Sequence, residues 1–273
     1  VQAVLFDLDG TLLPMVQEEF IKGYFGALCR RFAPKGYEPK RMIDTLWKGT
    51  KAMVRNDGAC PNRDRFWAAF AEEFGQERLQ DIPEFDDFYG REFNEAAACT
   101  QPTPLADRCV KTLREKGYPV ILATNPLFPR VGTLSRIRWA GLDAADFALI
   151  TTYENATHCK PNPAYYADIC AQMRLDPARC LMVGNDYTED LSAAEIGMEV
   201  FLVTDCLIAP EGADLSSVPH GTMAELLQRI LKVPLAWLGK KTGMNSACGP
   251  ELGSLAMSAA SPSTGMVARI TSE

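Results

Sequence analysis

Histidine is nearly absent from this 273-residue chain, which contains two. No serine or cysteine arrangement points to His158, so it reads as a loop residue, and His220 between Pro219 and Gly221 reads as a turn residue. Neither is expected to bind a metal. Cysteine occurs nine times, at positions 29, 60, 99, 109, 159, 170, 180, 206 and 248, with no C-x-x-C pair and an odd total. That excludes the usual zinc pattern and argues against a disulfide framework; free, buried thiols in a reducing cytoplasm are expected instead. No apolar run approaches 20 residues, and no basic segment followed by an apolar one opens the chain. Neither a membrane span nor a secretory leader is therefore expected. Positive charge is not in excess either: 28 Lys and Arg against 35 Asp and Glu leave a net charge of −7. Nucleic acid is a poor partner for such a surface, although a metal and a few local cations can still reverse the field for a small anionic substrate.

What is present is ordinary globular composition, 47% hydrophobic and 23% charged, with length enough for a sizeable core. The organising stretch is Val4-Leu5-Phe6-Asp7-Leu8-Asp9-Gly10-Thr11. Its apolar start reads as a short strand buried on both faces, delivering two carboxylates into a Gly-Thr turn. Alternation along a strand sends Asp7 and Asp9 to the same side, within reach of one metal ion or one reacting group. Gly10 permits close backbone approach, and Thr11 supplies a hydroxyl and an amide.

Residues 15–102 carry helical patterns over Val16–Phe32, Pro39–Val54, Arg63–Phe74 and Phe85–Ala98, dense in aromatics and without a convincing strand. From Pro104 the pattern alternates. Helices are expected at Leu105–Lys116, Arg130–Trp139, Pro163–Met173, Asp190–Ile196 and Met223–Leu231. Strands are expected at Tyr118–Thr124, Phe147–Thr151, Cys180–Val183 and, as the last, Glu199–Val203. The fold class is α/β, a doubly wound parallel sheet with an inserted helical unit. The division expected is 1–14 with 103–232 as the core, 15–102 as the insertion, and 233–273 as a loosely packed tail in which Leu235, Trp237 and Leu238 are the residues able to dock.

Ligands in such sheets bind beyond the carboxyl ends of the strands, where this chain's polar landmarks fall. Asp7 and Asp9 follow the first strand, Thr124 and Asn125 the second. Lys160 in HCKPNPAYY follows the third, and Gly184-Asn185-Asp186 with Asp190 the fourth. Several acids in one cleft repel one another unless a hard cation such as Mg²⁺ joins them. A carboxylate held by a lysine and a metal can attack phosphorus and form an acyl-phosphate.

With these four motifs in order, residues 1 to about 232 resemble the haloacid dehalogenase superfamily, whose members are mostly Mg²⁺-dependent phosphatases. The resemblance implies Asp7 as nucleophile, Asp9 as general acid and base, Gly10, Thr11, Thr124, Asn125 and Lys160 around the phosphoryl group, and Asp7, Asp9, Asp186 and Asp190 at the metal. It departs in the fourth motif, where GNDYTED has Asn185 in place of the usual first acid, so that Asp186 takes over that role. The insertion resembles the superfamily's C1-type cap. The implied function is hydrolysis of a small phosphorylated metabolite. The rivals are a phosphomutase, a phosphonate hydrolase using Lys48 or Lys51, and a silent phospholigand-binding protein; a dehalogenase has no use for Asp9.

Overall fold

The computed structural model describes residues 1–235. Six parallel strands form one sheet: β1 (Ala3–Phe6), β2 (Val120–Leu122), β3 (Leu149–Ile150), β4 (Cys180–Gly184), β5 (Glu199–Val203) and β6 (His220–Gly221), in the order β3-β2-β1-β4-β5-β6. β1 lies inside, with Val4 opposite Val120 on one side and Leu181 on the other. Its alternation divides the core into two faces. Val4 and Phe6 pack with Val110, Ile137 and Leu226, whereas Ala3 and Leu5 pack with Tyr165, Ile169 and Ala193. Helices α5 (Pro104–Glu115), α6 (Arg130–Trp139) and α8 (Met223–Lys232) supply the first group and α7 (Pro163–Met173) supplies part of the second. The sheet is therefore covered on both sides, as its continuous apolar strands require. Strand order reverses between β1 and β4, so a crevice opens there at the carboxyl ends.

The insertion between β1 and α5 is helical: α1 (Gln17–Phe32), α2 (Pro39–Val54), α3 (Asn62–Phe74) and α4 (Ile82–Gly90), with 3₁₀ segments at Ala33–Lys35, Gln76–Asp81 and Glu92–Cys99. Its two connections run side by side, Met15 bridging Thr100 and Gln101 N–H donating to Pro14 O at 2.7 Å. Phe32 stacks on Phe85 at 4.0 Å, and Phe66 lies so close to Gly49 that a Cβ there would come within 2.5 Å of the ring. Local signals place the starts: Glu38 accepts from the amides of Lys40 and Arg41 ahead of α2, Asn162 caps α7, and Thr222 with Glu225 forms a capping box on α8.

Three expectations need correction. Glu199–Val203 is not the last strand, because His220 is not in a turn: it pairs with Leu202 in β6, and Leu202 N–H donates to Pro219 O at 2.9 Å. The helix expected over Phe85–Ala98 breaks at Arg91, after Gly90, where the Asn94 side chain donates to the carbonyls of Gly90 and Arg91 at 3.0 Å. Leu191–Ile196 is 3₁₀, not α. Leu235 is exposed; Trp237, Leu238 and the tail from Lys240 lie outside the described residues.

Candidate active site

Lys160 is the hinge of the site. Fully buried, it donates through Nζ to Asp7 Oδ1 at 2.9 Å and to Asp190 Oδ1 at 2.7 Å, joining the ends of β1 and β4. Burial works against its charge, yet Asp190 and Asp7 hold its pKa well above the ordinary lysine value. Asp190 does not cap the segment it begins. Its second oxygen accepts from the Asp186 amide at 2.9 Å, so both oxygens are engaged. That fold-back needs Gly184, since a Cβ there would lie 1.9 Å from Asp190 Oδ2. Asp186 Oδ1 accepts from the amides of Thr188 and Glu189 at 2.8 and 2.9 Å.

Asn185, the departure in the fourth motif, ties its side chain to two other loops. Its Oδ1 accepts from Thr11 Oγ1 at 2.9 Å and its Nδ2 donates to Cys206 O at 2.7 Å. It packs under Gly10, whose φ of +83° and missing Cβ make the room. The amides of Gly10 and Thr11 donate to Leu13 O and Leu8 O. The donors of Thr11 and the Gly10 amide, expected at a phosphoryl group, are thus engaged within the protein, where they brace the loop after β1. Asn125 donates to Glu189 Oε2 at 3.0 Å and to Lys160 O at 3.5 Å, while its Oδ1 is buried without a partner among the described residues. Thr124 is buried, its carbonyl accepting from Tyr165 Oη at 2.9 Å and Thr151 Oγ1 at 2.7 Å.

Two residues join the site that sequence reasoning passed over. Arg136, fully buried on α6, is ion-paired with Asp9 Oδ2 and lies over Phe128 with its guanidinium carbon 4.2 Å from the ring centre. Its signal was on a helical wheel: Thr133, Arg136, Ile137 and Ala140 share one face, and all are buried. Glu189, the partner of Asn125, stands among the acids and shares their field.

Charge is unbalanced here. Burial pushes the Asp7 carboxyl up to about 7; Lys160 pulls it down, while Asp190 and Asp9 push it up again. Burial likewise raises Asp186 to about 6, with Asp190 adding to the rise. Asp9 is raised by burial against the pull of Arg136, and Glu189 is raised well above its usual value by burial and then by Asp186. The donor chemistry fits a hard divalent cation: Asp7, Asp186 and Glu189 offer only oxygens, and burial with the charges of neighbouring acids raises the pKa of each. Among the described residues no three acidic, His or Cys side chains already stand at metal-ligand spacing. A cleft of about 360 Å³, lined in part by Asp9, Gly10, Gln17, Asn185 and Leu207, opens onto Asp9.

The insertion is latched to these loops. Asn62, at the start of α3, is fully buried and donates to the carbonyls of His158 at 3.3 Å and Pro126 at 3.4 Å, while its Oδ1 accepts from Asn56 at 2.9 Å. Lys48, the cap lysine considered for phosphonate chemistry, is paired with Glu73 at 2.7 Å and Glu72 at 3.2 Å on the cap surface. His158 contacts Asp168 at 2.7 Å. The eight cysteines of the described residues are free, four of them buried.

Comparisons with known proteins agree with this arrangement. The chain is 24% identical over 247 residues to the N-acetylmuramic acid 6-phosphate phosphatase of Pseudomonas aeruginosa, covering 84% of this chain and 96% of that protein. It is 25% identical over 199 residues to the pyrophosphatase PpaX of Anoxybacillus flavithermus, covering 72% and 80%. Among solved structures, a HAD phosphatase from Thermococcus onnurineus superposes with a TM-score of 0.56 at 19% identity, over 86% of this chain and all of that one. A 2-haloacid dehalogenase from Pseudomonas syringae pv. Tomato gives 0.53 at 21%, over 84% and 99%. The fold is shared by enzymes of both chemistries, and the model of the haloacid dehalogenase-like hydrolases matches residues 1–196. Carrying that fold, with its acids and lysine gathered where the strand order reverses, the chain belongs to the haloacid dehalogenase-like hydrolases.

Proposed function

We propose that the protein is a Mg²⁺-dependent phosphomonoesterase acting on a small phosphorylated metabolite, with residues 15–102 as its C1-type cap and 1–14 with 103–232 as its core. The observation that carries this reading is Lys160 bridging Asp7 and Asp190 while Asp9, two residues after Asp7, keeps one buried oxygen without a partner among the described residues. The two relatives, a sugar-phosphate phosphatase and a pyrophosphatase by name, support it.

Asp7 is the nucleophile: a carboxylate oxygen bonds to phosphorus as the ester P–O bond breaks, and Asp9 gives its proton to the departing alkoxide. Asp9 then takes a proton from water, whose oxygen displaces Asp7 from phosphorus and releases phosphate. Lys160 neutralises charge at Asp7 and at the transferring group, with Asp190 holding the lysine in place. Asp7 and Asp186 would hold Mg²⁺, since Asp190 has both oxygens engaged and Asp9, paired with Arg136 through Oδ2, keeps Oδ1 for proton transfer. When bound, the ion supplies charge neutralisation of the phosphoryl oxygens. Thr124, just past β2, would receive those oxygens, and the Asn125 amide would join it on leaving its long contact to Lys160 O. The free thiols support a reducing, cytoplasmic setting.

A panel of sugar and nucleotide phosphates, a phosphonate and a 2-haloacid, each with Mg²⁺ and with EDTA, tests this reading. Metal-dependent phosphate release from one or more esters is expected; turnover confined to the phosphonate or the haloacid would overturn it.

A further inference from the structure

Resting on the reading of Asp9 as proton donor and acceptor, we propose that Arg136 is a positioning residue for that step, its guanidinium holding one Asp9 oxygen so that the other faces the reacting group. The geometry is specific. The Arg136 side chain is 1% exposed, Asp9 Oδ2 is its carboxylate partner, and Asp9 Oδ1 is buried with no partner among the described residues. Phe128 backs the guanidinium at 4.2 Å, and Thr133 Oγ1 accepts from Nη2 at 3.4 Å. These contacts fix the plane of the guanidinium and, through Nη1, the position of Asp9 Oδ2.

A fold does not need this charge. Burying a guanidinium and a carboxylate together is often no better than an apolar pair of the same volume, and the neighbours of Arg136 on the inner face of α6 include Ile137 and Ala140. The pair is explained by what it does for Asp9. Asp9 sits two residues from Asp7 on a short turn, and without a cation beside it the two carboxylates would repel. α6 itself is well held: Ser135 Oγ donates to Tyr89 O at 3.2 Å, Trp139 Nε1 donates to Asn94 Oδ1 at 2.9 Å, and Gly132 lets the Tyr89 ring approach. Arg136 is thus carried on a helix in contact with the cap, and the orientation of Asp9 is set from outside its own loop.

Leaving-group dependence separates this role from a merely structural one. Expulsion of p-nitrophenolate needs little help from an acid, whereas an alkyl alkoxide must be protonated as it departs. In the full chain with Mg²⁺, Arg136→Met is expected to lower kcat/KM, which reads only the steps through departure of the leaving group, by about 10²-fold or more on glycerol phosphate and by less than about tenfold on p-nitrophenyl phosphate. Asp9→Asn should show the same split, and the double variant should be no worse than Asp9→Asn alone. Equal losses on both esters, or additive losses in the double variant, would overturn the proposal. If Arg136→Met fails to give a cooperative thermal transition, Phe128→Leu keeps the cation and removes its platform; a smaller split in the same direction is expected, and no split overturns the proposal. Failure of the underlying reading looks different: the wild type releases no phosphate, or Asp9→Asn itself shows no split.

Discussion

Lys160 carries the heaviest electrostatic duty of any side chain in the site. Replacing it with Met leaves Asp7 and Asp190 buried without their shared cation, and breaking such a pair costs about 3–5 kcal/mol. The loss should be larger at pH 8 than at pH 5, because protonation of Asp7 relieves part of the repulsion. Urea unfolding at both pH values checks this, and an unchanged midpoint would contradict it. Gly184→Ala is a second test. Its Cβ would stand 1.9 Å from Asp190 Oδ2, so Asp190 must swing off Lys160; a displacement near 1 Å is expected to cost about 10²-fold in kcat. At this scale the gathering of Asp7, Lys160 and Asp190 was legible from their places after strand ends. The sequence was not legible where a donor's destination is tertiary. Nothing local says that the Thr11 hydroxyl goes to Asn185, or that Arg136, on the apolar face of α6, finds Asp9 as its partner.

Elements bring those residues together, and one of them crosses from cap to core. Asn62 joins the start of α3 to the loops that follow β2 and β3, the same loops that hold Asn125 and Lys160. Asn62→Ala strands the amide of Asn56 and frees two carbonyls, an expected loss of about 1–3 kcal/mol. Thermal melts should show it, with a fall in kcat as the two loops loosen; a lower melting temperature at full kcat would mean that the latch serves only stability. Most helices were legible from periodicity and caps, Pro39–Val54 and Pro163–Met173 to the residue. β6 was not, because two residues between Pro219 and Thr222 carry no alternation, and their strand exists only through pairing with β5. The break at Arg91 depends on Asn94 folding back onto the helix end, a contact that a hydrophobic pattern does not record.

For the whole molecule, the account makes stability depend on pH and metal together. Asp7 and Asp186 titrate higher in the folded chain, at about 7 and about 6, than the ordinary 3.8. The folded state therefore holds their protons more tightly, and the stability this confers is lost as pH rises through 6 to 7. Metal-free protein should weaken between pH 5 and pH 8, and Mg²⁺ at 100 times its dissociation constant should return about 2.7 kcal/mol at pH 8. Its effect should be smaller at pH 5, where protons compete for the same oxygens. Denaturant titrations with and without Mg²⁺ check both, and an equal metal effect at the two pH values would contradict the assignment of these acids. Fold class was the most legible level: alternating helices and both-face-buried strands implied a parallel sheet with ligands beyond its carboxyl ends, whereas the strand order and its reversal belong to tertiary pairing. The central claim remains chemical, that Asp7 is the atom donor to phosphorus. It is tested most directly by phosphate release from p-nitrophenyl phosphate, with Mg²⁺ and with EDTA, by the wild type and Asp7→Asn. The account predicts metal-dependent release that falls by about 10³-fold or more in the variant; a variant within about tenfold of the wild type would contradict it.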